Sequence, residues 1–262
     1  MTPAAIEHLR ARLYLFAVLP AMDDLLKASP EACSVLGSEP FSIAFKTRSG
    51  LRAAYFLYEN HCRFVWGKAT ERADVELFFH SDAQANATFE GRKSIPPMPT
   101  RGFSKIGKVK IFQEIAGILE DFLKPSPEAL KDKDFREAFV KTYFGIVLRA
   151  LCQLCEHEKK GRELFKNGPQ GLAQFQLGRD GVPTWLNLVS RKLDWGRGEP
   201  PRPSDVCICF LNPEVAIRAL NDQIDAQVEL GLGTLEIAGF SPLAEQVNLL
   251  LERIELYLPK GV

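Results

Sequence analysis

Residues 204–239 read SDVCICFLNPEVAIRALNDQIDAQVELGLGTLEIAG, and this stretch decides the fold. From Asp205 to Phe210 every second residue is strongly apolar, which is the pattern of a half-buried β-strand. Asn212-Pro213-Glu214 is typical of a helix start and predicts a short helix from Val215 to Leu220. A further strand is predicted from Gly233 to Ile237. The stretch therefore predicts a strand, a short helix and a second strand in succession.

The same succession occurs earlier in the chain. Asp74 to Phe79 alternates like a strand, Ser81-Asp82 opens a helix, and Gly107 to Ile111 is predicted as the second strand. The two copies lie about 130 residues apart, which is a domain-sized period. We therefore expect two domains of one kind, residues 1–125 and residues 126–262.

The remaining segments complete an α+β pattern in each half. In the first half a helix begins at Thr2, strands alternate as an antiparallel meander between Phe41 and Phe79, and a helix from Ile115 to Phe122 closes the unit. Ile95 to Gly102 is predicted as a proline-rich loop that has no counterpart in the second half. The second half repeats the meander and ends in a helix that begins at Ser241.

The stretch from Phe135 to Cys155 is apolar on nearly all sides of a predicted helix. A helix of this kind is buried on nearly all sides, so we predict that it lies between the two units. The fold class is therefore α+β, with two similar units. Each unit is a mostly antiparallel sheet covered on one face by helices, and a buried helix lies between the units.

The charge balance limits the classes of partner. Thirty-three Lys and Arg residues face 33 Asp and Glu residues, which argues against nucleic-acid binding and against strong attraction to an anionic membrane. No apolar run predicts an integral membrane segment, and the N-terminus lacks a signal-peptide pattern. We therefore expect a cytoplasmic protein whose six cysteines are reduced thiols.

The polar motifs do not predict an enzyme. Cys152, Cys155 and His157 suggest a metal or redox site, but a helix turns by about 100° per residue and directs His157 away from both cysteines. Buried structural thiols are the favoured interpretation. The sequence contains no P-loop, no Gly-x-Ser-x-Gly motif and no dinucleotide fingerprint. We therefore expect no catalytic residues, no metal and no cofactor.

Three short motifs lie in the same order in both halves, and the first half has a fourth, Gly91. In the first unit they are Trp66-Gly67, Asp74 to Leu77, Gly91 and Gly107 to Ile111, and in the second Trp195-Gly196, Asp205 to Ile208 and Gly233 to Ile237. With this order, each unit resembles a domain of the sterol carrier protein type 2 family. The resemblance implies helices over a mostly antiparallel sheet, with an apolar tunnel between them that holds a fatty acyl chain or a sterol.

Apolar residues on the covered side of each unit are the candidate tunnel lining. In the first unit they are Leu77, Phe79, Phe89, Ile111, Ile118, Leu119 and Phe122. In the second unit they are Trp185, Phe210, Ile237, Leu243, Val247, Leu250 and Ile254. Periodicity predicts that these positions are buried, and a filled core without a ligand explains the same pattern.

The leading hypothesis is non-catalytic binding or transfer of an apolar small molecule, such as a fatty acid or a sterol-like lipid. One alternative is an interaction or scaffold module with filled cores, for which the apolar helix would allow a homodimer. Another is an accessory domain pair that serves a separate enzyme of lipid or quinone metabolism.

Overall fold

The computed structural model describes residues 2–189, 192–220 and 223–258. These residues divide into two compact units, which we call the first unit (residues 2–126) and the second unit (residues 127–258). The predicted end of the second domain lies beyond residue 258, outside the described residues. That both units descend from one duplicated domain stays a prediction.

The first unit opens with a helical segment that changes form. Helix α1 (Pro3–Leu13) is capped by the Thr2 hydroxyl and continues as a π-helical turn, Tyr14–Val18, and a 3-10 turn, Leu19–Ala21. Proline has no N–H for the regular ladder, so Pro20 explains this change of helical form. Two further helices follow, α2 (Met22–Ala28) and α3 (Pro30–Leu36).

A five-stranded sheet forms the centre of the first unit. Its strands are β1 (Phe41–Thr47), β2 (Arg52–Tyr58), β3 (His61–Trp66), β4 (Val75–Phe79) and β5 (Met98–Arg101). Their order is β3-β2-β1-β4-β5, and only the pair of β1 with β4 is parallel. Helix α4 (Asp82–Phe89) follows β4, and helix α5 (Gly107–Leu123) closes the unit. The predicted mostly antiparallel sheet is therefore confirmed.

The prediction of a strand from Gly107 to Ile111 is wrong, because these residues form the first turns of α5. Val109 and Ile111 alternate with lysines, but Phe112, Ile115 and Leu119 continue the apolar pattern at helical spacing and are buried. The fifth strand is β5, inside the segment that was predicted as a proline-rich loop. β5 lies at the edge of the sheet, where a proline removes no ladder hydrogen bond.

The second unit has the same sheet. Two helices, α6 (Lys133–His157) and α7 (Lys159–Asn167), precede it. Its strands are β6 (Gly171–Leu177), β7 (Thr184–Val189), β8 (Lys192–Arg197), β9 (Val206–Phe210) and β10 (Leu235–Gly239). The order β10-β9-β6-β7-β8 repeats that of the first sheet, with β6 and β9 as the parallel pair. Helices α8 (Pro213–Leu220), α9 (Ala226–Gly231) and α10 (Ser241–Ile254) complete the unit.

Two glycines show that β10 corresponds to β5. Gly102 follows β5 directly and has a φ of 80°, and Gly239 is the last residue of β10 and has a φ of 101°. A Cβ atom at Gly102 would lie 2.0 Å from the carbonyl oxygen of Asp74, and one at Gly239 would lie 2.3 Å from that of Asp205. The expected match of Leu235 and Ile237 to Val109 and Ile111 is therefore wrong, because Val109 and Ile111 lie on α5 and the strand that corresponds to β10 is β5.

The apolar surface of helix α6 is explained by its packing within the second unit. It contacts α7, α8, α10 and β8. Among the described residues, α6 is the one helix that is long and apolar enough to cross a membrane by length and composition, and 61% of its apolar window is buried. Because core helices of folded domains pass the same test, burial accounts for its apolar surface. The predicted position between the units stays a prediction.

Candidate apolar binding site

The strand register sorts the side chains of each sheet onto two faces. Directly opposed residues of paired strands point to the same face, and consecutive residues point to opposite faces. In the first unit, Phe45 pairs with Leu77 and with Ala53, and Ile43 pairs with Tyr55. The covered face therefore carries the candidate residues Leu77 and Phe79 beside Phe45 and Tyr55.

Aromatic rings fill the centre of the first unit. The ring of Phe45 lies 5.8 Å from that of Tyr55, 6.0 Å from Phe79, 5.6 Å from Phe89 and 5.3 Å from Phe112, measured between centroids. Rings at these separations are in direct contact. They join the sheet to α4 and α5, so this part of the first unit is a packed core.

Helix α5 contributes the other candidates of the first unit. Leu119 and Phe122 are buried, while Ile111 and Ile118 are half-buried. The helix packs against α2, α3 and β1. Leu119 and Phe122 are therefore buried as predicted, whereas Ile111 was predicted on a strand and lies instead on this helix. The candidate set omitted Phe112, whose ring touches Phe45.

In the second unit, the covered face carries the candidates of β9 and β10. Ile208 pairs with Phe175 and with Ile237, and Phe210 pairs with Leu235. The ring of Phe144 on α6 lies 5.8 Å from the rings of both Phe175 and Phe210. Helix α6 therefore covers this face, and Phe144 is a contact residue that the candidate set lacked.

Helix α10 packs over the same face with its four candidate residues. It contacts β6, β9 and β10, and its buried candidates are Leu243, Val247, Leu250 and Ile254. A Cβ atom at Gly171 would lie 2.7 Å from a terminal methyl group of Leu243. The glycine therefore allows α10 to approach the start of β6 closely.

Trp185 does not lie with the other candidates. It pairs with Gln174 and Gly196, whereas its neighbours Thr184 and Leu186 are on the covered face. A Cβ atom at Gly196 would lie 2.4 Å from the Trp185 indole, so the ring packs over that glycine on the opposite face. The assignment of Trp185 to the tunnel lining is therefore wrong, and strict alternation along β7 could have shown this.

The two covered faces differ in residual exposure. Ile208 and Phe210 are 9% and 8% exposed, whereas Leu77 and Phe79, at the matching positions of β4, are 4% and 0% exposed. Tyr143, Phe144 and Ile254 around the second face also keep a little accessible surface. At these matching strand positions the second unit therefore keeps slightly more accessible surface, although Phe89, Ile111 and Ile118 of the first unit are themselves half-buried.

Two arginine side chains lie over the ring of Trp195 at the edge of the covered face of the second unit. The guanidinium carbon of Arg149 lies 4.8 Å from the ring centre of Trp195, and that of Arg197 lies 5.8 Å from it. Arg197 also donates a hydrogen bond of 2.8 Å to the backbone oxygen of Lys141 on α6. The signal in the sequence is Arg149 itself, a charged residue within the largely apolar stretch from Phe135 to Cys155.

The buried carboxylate of Glu158 holds the helices of the second unit together. It accepts hydrogen bonds from Arg253, from the hydroxyl of Tyr257 at 3.1 Å, and from the backbone N–H of Gly161. Burial by itself raises the pKa of Glu158, but the Arg253 hydrogen bond and the other donors outweigh it and hold the pKa below its ordinary value. The group has a structural role at the start of α7.

Burial dominates the chemistry of the thiol groups of Cys152 and Cys155. Burial, with a smaller effect of neighbouring thiol and carboxylate groups, raises the pKa of Cys152 and of Cys155 to about 12. Among the described residues, no group of three or more His, Cys, Asp or Glu side chains could hold a metal ion. The described thiols therefore have the character of structural cysteines.

Neither the family models nor the curated proteins contain a match to this chain. Among solved structures, it is similar to the sterol carrier protein domain 2 of Helicoverpa armigera, with 15% identity and a TM-score of 0.35 over 44% of this chain and 91% of that one. It is similar to sterol carrier protein 2 from Yarrowia lipolytica in its apo form, with 18% identity and a TM-score of 0.32 over 38% of this chain and 90% of that one. A third similar structure is the ubiquinone synthesis protein UbiJ-SCP2, with 14% identity and a TM-score of 0.34 over 40% of this chain and 85% of that one. Sterol carrier protein 2 domains thus recur among these structures, and this is the family that the sequence motifs resemble.

Proposed function

We propose that the chain is a non-catalytic binder of an apolar small molecule, such as a fatty acid or a sterol-like lipid. The ligand lies in the second unit, between its sheet and helices α6 and α10, while the first unit keeps a filled core. The observation that carries the proposal is the residual exposure of Ile208 and Phe210, compared with the buried Leu77 and Phe79.

The chemistry of this face suits an acyl chain. Its walls are the apolar side chains of Phe144, Phe210, Ile237 and Val247, and burial of each CH₂ group contributes about 0.8 kcal/mol. Arg149 and Arg197 place positive charge at the edge of the face, where a carboxylate head group would lie. Specificity for a fatty acid over a neutral sterol would then depend on this edge.

The packed rings of the first unit favour a structural or interaction role for that unit alone. The accessory hypothesis, in which the second unit carries a lipid or a quinone to a separate enzyme, needs the same ligand site. The interaction hypothesis and the accessory hypothesis are therefore parts of one proposal, in which the first unit has a structural or interaction role and the second unit binds the ligand. A cytoplasmic location stays a prediction.

A matched pair of substitutions tests the proposal. Ile208→Phe fills space in the second unit, so we expect the affinity for a fluorescent fatty acid to fall at least about tenfold, with little loss of stability. Leu77→Phe at the matching position overpacks the first unit, and we expect it to cost about 1–3 kcal/mol of stability and to leave the affinity unchanged.

Trp185→Phe is the control within the second unit, because Trp185 lies on the opposite face of the same sheet. We expect it to leave the affinity unchanged. The proposal fails if the wild-type chain binds no apolar probe. It also fails if Ile208→Phe is as destabilising as Leu77→Phe, because the second unit would then be equally solid.

A further inference from the structure

One segment of the first unit, which includes its edge strand β5, exposes several large apolar side chains. We call residues 92–110 the β5 surface, since they contain β5 and the segments on both sides of it. Ile95 is 76% exposed and Phe103 is 66% exposed, and Met98 and Ile106 are also exposed. Four exposed apolar residues within so short a segment are unusual for a surface that contacts only water.

The same surface is strongly basic. It contains six Lys and Arg residues and no acidic residue, in a chain whose net charge is zero. Lys105 pairs with Asp74 at 2.6 Å and Lys108 pairs with Glu39 at 2.9 Å. Within the described ranges, Lys93, Arg101 and Lys110 have no carboxylate partner, so the surface keeps an excess of positive charge.

The prolines of this surface disfavour pairing of β5 with a partner strand. β5 is the outermost strand of its sheet, and Pro96, Pro97 and Pro99 have no N–H to donate to another strand. Prolines protect edge strands from pairing in this way. Backbone recognition of an extended peptide is therefore disfavoured, and the side chains must make the contact.

The corresponding segment of the second unit has the opposite charge. Residues 223–240 contain no Lys or Arg, although Leu232 there is 69% exposed. Its acidic groups are already engaged, because Glu229 pairs with Arg218 and Glu236 pairs with Arg179. The acidic segment is therefore a poor partner for the β5 surface of a second copy.

We propose that the β5 surface docks onto the surface of an anionic lipid bilayer. Ile95, Phe103 and Ile106 would enter the boundary between head groups and acyl chains, and lysines on both sides would approach the lipid phosphates. Each Lys or Arg near such a membrane adds to the attraction, which salt weakens. The docking does not depend on whether the second unit holds a ligand.

Co-sedimentation of the full chain with vesicles tests this proposal. We expect the protein to bind vesicles of phosphatidylcholine with phosphatidylserine, to bind phosphatidylcholine alone weakly, and to be released by salt. Lys93→Gln combined with Lys110→Gln should weaken binding about 30-fold, because two favourable charges are removed. Ile95→Ser combined with Phe103→Ser should also abolish most of the binding.

The matched control is Val228→Ser combined with Leu232→Ser, which removes exposed apolar residues from the acidic segment of the second unit. We expect this variant to bind anionic vesicles like the wild type, and circular dichroism should show that all the variants are folded. Absence of binding to anionic vesicles, or an equal loss in the control, overturns the proposal. Light scattering that shows self-association abolished by the Lys93 and Lys110 variant would assign the surface to a protein partner and overturn it as well. Fatty-acid displacement by the same variants should be unchanged, which separates this test from that of the proposed function.

Discussion

The hydroxyl group of Tyr55 donates a hydrogen bond to the backbone carbonyl of Leu15, inside the first unit. Leu15 lies in the π-helical turn, where the N–H of Leu19 donates to the carbonyl of Tyr14, five residues earlier. The next bond of this pattern would join residue 20 to Leu15, but Pro20 has no N–H. Tyr55, fully buried on β2, therefore supplies the donor that the helix lacks.

Tyr55→Phe should destabilise the first unit by about 1–3 kcal/mol, because it leaves a buried carbonyl group without a donor. Urea unfolding of the full chain, followed by a signal from the first unit such as Trp66 fluorescence, measures this loss. Tyr58→Phe is the control, since Tyr58 is exposed on the same strand and should change stability by less than about 0.5 kcal/mol. In a Pro20→Ala background, the residue 20 N–H can serve Leu15, so Tyr55→Phe should cost less there. Equal costs in both backgrounds would contradict this account.

Glu158→Gln should destabilise the second unit by about 2–3 kcal/mol at neutral pH, because it removes the charge that Arg253 and Tyr257 contact. The pKa of Glu158 is lowered in the folded state. Its contribution is therefore fully present above the unfolded-state pKa and is lost as pH falls through the folded-state pKa. The stability gap between wild type and variant should shrink in acid.

Urea titrations near pH 7 and in the range below the ordinary glutamate pKa of about 4.3 measure that gap. Glu163→Gln serves as the control, because Glu163 forms only a long, exposed pair of 3.8 Å with Lys160. A gap that stays constant with pH would show that the Glu158 charge has no stabilising role.

Gly102→Ala and Gly239→Ala should each cost at least about 2 kcal/mol. Both glycines have positive φ, and an added Cβ atom would overlap the carbonyl oxygens of Asp74 and Asp205. Gly117→Ala on α5 is the control, since nothing lies within 4 Å of its Cβ position. In a helix interior this change should stabilise the chain by about 0.5–1 kcal/mol. Thermal unfolding measures all three, and a tolerated alanine at Gly102 or Gly239 would show that the matching turns differ from those described.

Cys152 and Cys155 should resist alkylation in the folded chain. Their pKa values of about 12 leave almost no thiolate near pH 8, and the thiolate is the reactive form. Mass spectrometry after brief iodoacetamide treatment should find both unmodified until urea is added, with the half-buried Cys33 as the internal reference. Rapid modification of the pair in the folded chain would restore the redox interpretation that the sequence left as a minor alternative.

Strand alternation and helix-start residues predicted most of the fold. Val75, Leu77 and Phe79 face one way because a strand reverses its side chains at each residue, and the same rule placed Val206, Ile208 and Phe210. The rule missed β5, which lies in a segment predicted as a proline-rich loop, and it failed where a short window suits two structures. Gly107 to Ile111 alternates like a strand, yet it begins a helix, because the apolar residues of α5 continue at helical spacing and the helix packs on α2, α3 and β1.

Local sequence therefore determined the α+β class, the repeated order of elements and the faces of most strands. Those properties depend on the spacing of apolar, polar and helix-capping residues along the chain. The tertiary structure alone decided that β5 takes the edge of its sheet, that Tyr55 reaches Leu15, and that four aromatic rings pack around Phe45 in the first unit. These properties depend on distances between side chains that are remote in sequence, and periodicity carries no information about the space left between them.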